Sequence, residues 1–134
     1  MIAPVYRSIV VGTDGSETAQ RAVATAADLA RLAGAALEVV SAYEPVNLRE
    51  DVDATLADAV ERLEGSGLVV RAHTREGDPA DAILDVAEEQ NADLIVVGNK
   101  GMTGARRFLL GSVPNKISHY APCSVLIVRT AEAG

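Results

Sequence analysis

The run Leu94-Ile95-Val96-Val97, closed at once by Gly98, is apolar without alternation. A strand exposed on one face alternates apolar and polar residues, whereas a strand of a parallel sheet covered on both faces does not. The run therefore demands helices on both sides of its sheet. The rest of the chain offers them in regular alternation with further strands.

Ser8 to Gly12 is a short β-branched run ended by glycine, and Ser16 stands where a helix N-cap belongs. Ala22, Val23, Ala26, Leu29, Ala30 and Ala33 then fall on one helical face, with Gly34 as the stop. Leu37 to Ala42 reads as a second strand, and the polar stretch Glu44 to Asp53, with Pro45, reads as a loop. Leu56, Val60 and Leu63 predict a second helix, and Leu68 to Thr74 a third strand. Asp78 as N-cap with Pro79 at the first helical position starts a third helix, whose inward stripe is Ala82, Ile83, Val86 and Ala87 and whose end lies near Asn91. Val113 to Tyr120 predicts a last helix and Ser124 to Val128 a fifth strand. The pattern predicts an α/β fold: an open, doubly wound sheet of five parallel strands in the order 3-2-1-4-5, with helices on both faces. Residues 1–134 read as one domain, since 134 residues at 49% apolar composition suit one core.

Composition removes several function classes. A net charge of −7 opposes broad contact with nucleic-acid phosphates, and aromatic residues for base stacking make up only 3% of the chain, so no nucleic-acid partner is expected. The apolar runs are too short to span a bilayer and the N-terminus lacks a signal-peptide layout, so a soluble, cytoplasmic protein with no membrane partner is expected. The single cysteine, Cys123, excludes an intrachain disulfide and a cysteine-based zinc cluster, and its apolar neighbours predict a small buried hydrophobe.

In the predicted strand order the loops after strands one and four become neighbours where the order reverses, which is where such sheets bind ligands. The first loop brings Thr13-Asp14-Gly15-Ser16 and the second brings Gly98, Asn99, Gly101, Gly111 and Ser112. Glycines let backbone N–H groups approach an anion, and a helix start at Ser112 adds partial positive charge and a hydroxyl. Together they predict a phosphate cradle, with Lys100, Arg106 and Arg107 as secondary phosphate candidates in an otherwise acidic chain. The segment fits neither the P-loop nor the dinucleotide fingerprint. Asp14 has two readings: the carboxylate of an Asp-Gly turn, or a ligand-facing group for a ribose hydroxyl or a phosphate-bound metal. No metal is expected from the protein alone.

Ile9-Val10-Val11-Gly12-Thr13-Asp14-Gly15-Ser16, Ser124-Val125-Leu126-Ile127-Val128 and the spacing Gly-x2-Gly-x9-Gly-Ser at Gly98, Gly101, Gly111 and Ser112 resemble the ATP-binding branch of the universal stress protein family, along nearly the whole chain. The resemblance implies an adenine nucleotide, ATP foremost, with its base and ribose at Thr13, Asp14 and Ala42. Its phosphates would lie on the segment from Gly101 to Val113, with Mg arriving with ATP. Ser41-Ala42 departs from the family's larger aliphatic residue, and Pro114 from its usual hydroxylated residue. Pro114 removes a backbone donor beside the phosphates. Some related members with Gly-Ser-Val-Pro prefer AMP or cyclic AMP to ATP, which the resemblance makes the alternative ligands. The resemblance also implies a homodimer, paired through the edge strand 124–129; the identity of any protein partner is not encoded.

Phosphoryl transfer needs a metal, a nucleophile and charge stabilisation held together, and no local set supplies all three. His73 and His119 read as structural or exposed. The expected function is therefore a regulatory or stress-response protein that acts by binding. The rival is a slow Mg-dependent ATP hydrolase using Asp14, with a phospho-acceptor domain ranked last because no second Asp follows strand three.

Overall fold

Strand β1, Ser8–Gly12, pairs in parallel with β2, Ala36–Tyr43, on one side and β4, Leu94–Gly98, on the other. Strands β3, Val70–Glu76, and β5, Ser124–Val128, complete a five-stranded sheet in the order β3-β2-β1-β4-β5. The computed structural model describes residues 6–43, 49–63, 65, 67–99 and 111–129. The sheet is wholly parallel and its strand order is the one the sequence predicts.

Side chains alternate across β1 and so sort the core into two layers. Ile9 and Val11 join Leu37, Val39, Leu94 and Val96 beneath helices α1, Glu17–Ala33, and α2, Arg49–Leu63. Val10 joins Val40, Ile95 and Val97 beneath α3, Pro79–Glu89, and α4, Ser112–Tyr120. All three of Ile9, Val10 and Val11 are fully buried. That double burial is the reason these strands carry continuous apolar runs. Among the described residues no helix is long and apolar enough to cross a membrane.

The helix ends follow local chemistry. Ser16 caps α1, its Oγ accepting from the Ala19 N–H at 3.2 Å, and Gly34 closes the helix in the left-handed region at φ 69°. Asp78 caps α3, its Oδ2 accepting from the Asp81 N–H at 3.1 Å, with Pro79 following as the first helical residue. Asn91, at φ 49°, turns the chain out of α3.

Several boundaries differ from the sequence reading, most clearly those of α2 and β3. Helix α2 begins at Arg49, inside the stretch expected to be loop up to Asp53. Acidic Glu50 and Asp51 suit the positive end of the helix, and Val52 and Leu56, one turn apart, both point into the core. Strand β3 runs from Val70 to Glu76 instead of Leu68 to Thr74. Its end is set by its partner, for β2 continues to Tyr43 and pairs Ala42 with Arg75 and Tyr43 with Glu76. Cys123 is half-buried against the α3/α4 layer. That burial, then the Asp93 charge, push its thiol pKa up, which keeps it a poor nucleophile.

His73 has a structural role. Glu38 is fully buried in β2, its Oε1 2.9 Å from His73 Nε2 and its Oε2 3.2 Å from Arg71 Nε, both partners standing on β3. A buried carboxylate is costly when a partner is removed, yet its replacement by an apolar group together with the partner is often neutral. His73→Leu is expected to lower the unfolding free energy by about 3 kcal/mol in urea titration, and adding Glu38→Leu to recover most of it.

Candidate functional site

The strand order reverses between β1 and β4, so their carboxyl ends diverge into loops on opposite sides and leave a crevice. The structure has an open cleft there of about 580 Å³, part of it continuous with solvent. Thr13, Asp14 and Ser16 from the β1 turn form one wall, Val40 and Ala42 from β2 the floor, and Pro79, Ile83, Val113 and Pro114 the side made by α3 and α4. Its mostly apolar lining with a few polar groups suits a small organic ligand.

The β1 turn is held by its own atoms. The Thr13 N–H donates to the Val40 carbonyl at 2.9 Å, and the Gly15 N–H to Thr13 Oγ1 at 3.1 Å. Asp14 Oδ1 accepts from the Ser16 N–H at 2.9 Å and from Ser16 Oγ at 2.6 Å. Gly15 has φ 84°, and a Cβ there would also stand 3.1 Å from Thr55 Cγ2. The turn reading of Asp14 is met. One oxygen serves the turn, while Oδ2 lies outside it on a residue that lines the cleft.

On the facing side, the Asn99 N–H donates to the Val128 carbonyl at 2.8 Å and the Gly111 N–H to the Asn99 carbonyl at 3.0 Å. These bonds seat the start of α4 beside the end of β4. Gly111 is the N-cap and, having no side chain, offers no cap of its own. The first turn thus presents the N–H groups of Ser112 and Val113, followed by Pro114, which has none.

Thr13, Asp14, Ala42, Gly98 and Val113 come together as lining residues. Asn99, Gly111 and Ser112 stand next to them at the start of α4 without lining the cleft. Lys100, Gly101, Arg106 and Arg107 lie outside the described residues. Sequence reading missed Gly12 and Val97, the α1 residues Thr18, Ala19 and Ala22, and Val40, Pro79 and Ile83 as site residues. Ile83 carried a signal, being on the inward stripe of α3 near its N-terminal end, the end that meets the carboxyl edge of the sheet. His119 is exposed, its Nδ1 2.8 Å from the Asn115 carbonyl, and neither it nor His73 lines the cleft. Among the described residues no group of three His, Cys, Asp or Glu side chains is arranged to hold a metal.

The sequence profile of the Universal stress protein family matches residues 5–129. A universal stress protein of Mycobacterium tuberculosis is 40% identical over 93% of this chain and 97% of its own length. A universal stress protein crystallised in complex with cAMP superposes with a TM-score of 0.80 at 34% identity, covering 95% of this chain and 99% of that one. The universal stress protein from Archaeoglobus fulgidus in complex with dAMP superposes with a TM-score of 0.73 at 31% identity, covering 93% and 99%.

Gly12 connects the sheet to the cleft. A Cβ there would stand 2.5 Å from Ile83 Cδ1, on a side chain that forms part of the cleft wall. Gly12→Ala is expected to lower the unfolding free energy by about 1 kcal/mol through overpacking, and Ile83→Val, which removes the clashing methyl, to restore it in the double variant. Urea denaturation of the two singles and the double measures this.

Proposed function

The chain belongs to the universal stress protein family, and on that premise we propose that it binds an adenine nucleotide in the cleft at the carboxyl ends of β1 and β4 and acts by binding. The observation that carries this reading is the opposition of the self-bonded Thr13 to Ser16 turn and the donor-bearing start of α4 across an apolar floor of Val40 and Ala42. A flat base packs on the floor, the ribose lies against Asp14 Oδ2, and phosphate meets the Ser112 and Val113 N–H groups and the Ser112 hydroxyl. The relatives crystallised with cAMP and dAMP support the adenine class.

The glycine spacing from Gly98 to Ser112 favours ATP, with Mg held chiefly by the phosphates and Asp14 as the one carboxylate on the cleft among the described residues. A specific observation favours AMP or cyclic AMP. The Gly111 N–H is engaged by the Asn99 carbonyl and Pro114 lacks a donor, so two backbone N–H groups of this turn remain, a set suited to a single phosphate. Hydrolysis is the rival activity; Asp14, with one oxygen committed to the turn, is the carboxylate on the cleft among the described residues.

Calorimetric titration with ATP, ADP, AMP, cyclic AMP and GTP tests the proposal. Adenine nucleotides are expected to bind at least tenfold tighter than GTP, and Ser112→Ala to weaken binding about tenfold, the worth of one charge-assisted hydrogen bond. Equal affinity for all five, insensitive to Ser112→Ala, would overturn it.

The two edges of the sheet differ, and we propose that β5 is the one used for homodimerisation. Edge strand β3 carries Arg71, His73, Arg75 and Glu76, whereas β5 is Ser-Val-Leu-Ile-Val with Leu126 36% exposed. Charged edges resist strand addition and apolar ones invite it. Sedimentation at micromolar concentration is expected to give a dimer, and Leu126→Arg a monomer; a monomeric wild type would sink the idea.

A further inference from the structure

The cleft wall opposite the β1 turn is made from two helices that approach at their N-terminal ends, and one side chain ties them. Lys116, on the second turn of α4, places its Nζ 2.7 Å from Asp81 Oδ1 and 3.5 Å from Asp78 Oδ2 on α3. Asp78 Oδ2 is also the cap of α3, accepting from the Asp81 N–H. Among the described residues, both ion pairs that join α3 to α4 are made by Lys116. On one side of this tie stand Pro79 and Ile83, on the other Val113 and Pro114, and all four line the cleft.

We propose that Lys116 is a positioning residue for the cleft, setting the separation of the α3 and α4 walls and so the width of the slot in which the base packs. The lysine itself is not among the lining residues, so it acts through the helices it joins. Below the tie the two helices meet through apolar contact, with Ile117 fully buried in the same layer as Ala80 and Ile83. Apolar contact leaves the separation at the outer end of the helices to the ion pairs there, and with Lys116 41% exposed the tie biases that spacing without locking it. Its hydrogen bond to Asp81, with the charges of Asp81 and Asp78, raises the Lys116 pKa above 10.5, so the tie stays charged throughout the neutral range. The inference rests on the nucleotide reading of the cleft for its effect on affinity, but not for its effect on helix spacing.

Two measurements test it. Lys116→Met is expected to weaken adenosine and AMP by the same factor, about fivefold, with Asp81→Asn giving a similar loss and Lys116→Arg restoring binding. Unchanged affinity, or a loss for AMP alone, would overturn the positioning role, the latter because it marks direct contact with phosphate. Without nucleotide, spin labels at Asp85→Cys and Ser118→Cys, both exposed, in a Cys123→Ser background report the α3 to α4 distance. Lys116→Met is expected to broaden that distance distribution and Lys116→Arg to restore it. A distribution unchanged by Lys116→Met refutes the spacing role, whereas a wild-type protein that binds neither adenosine nor AMP refutes the nucleotide reading and leaves this measurement to decide the tie.

Discussion

Everything in this fold hangs on the parallel pairing of β1 with two neighbours. Strand β1 is five residues long, bonded to β2 on one side and β4 on the other, with its inner side chains fully buried on both faces. Parallel strands need crossovers, so each pairing commits a helix to a face, and two crossovers in opposite directions leave a gap between β1 and β4. The cleft is that gap. Its floor, from Val40 and Ala42, is the continuation of the same β2 residues whose neighbours register with β1.

The fold was legible where backbone chemistry is local. Ser16, Gly34 and Asp78-Pro79 act as helix caps because each satisfies orphan groups within its own turn, a need visible in a few consecutive residues. The strands β1 and β5 were legible to the residue because a glycine or a polar boundary ends each apolar run. What the sequence hid depends on partners far along the chain. The end of β3 is set by the length of β2, the start of α2 by where Val52 and Leu56 meet the core, and the pairing of Glu38 with His73 by register across 35 positions. The contribution of Ile83 to the cleft needed the placement of α3 over β1 and β2, which no periodicity specifies.

Asp14 shows how one residue can satisfy a structural reading and leave a functional one open. Its Oδ1 is used twice within two residues, by the N–H and the hydroxyl of Ser16, so the turn is complete before any ligand arrives. A ligand that meets such a turn does not have to order it, which lowers the entropy lost on binding. The start of α4 is arranged likewise by Asn99, which donates to the Val128 carbonyl and accepts from the Gly111 N–H, so the donors beyond it are oriented by the sheet.

The unequal edges of the sheet carry a further consequence for assembly. A head-to-tail fibre of sheets needs two edges that accept strands, one at each end of every unit. Here Arg71 pairs with the buried Glu38 and Arg75 with Glu89, so the β3 edge carries paired charges that the β5 edge lacks. If β5 pairs as proposed, the sheet extends in one direction only. On that proposal Glu38, by pairing with Arg71 on β3, also helps to terminate the sheet on its other side.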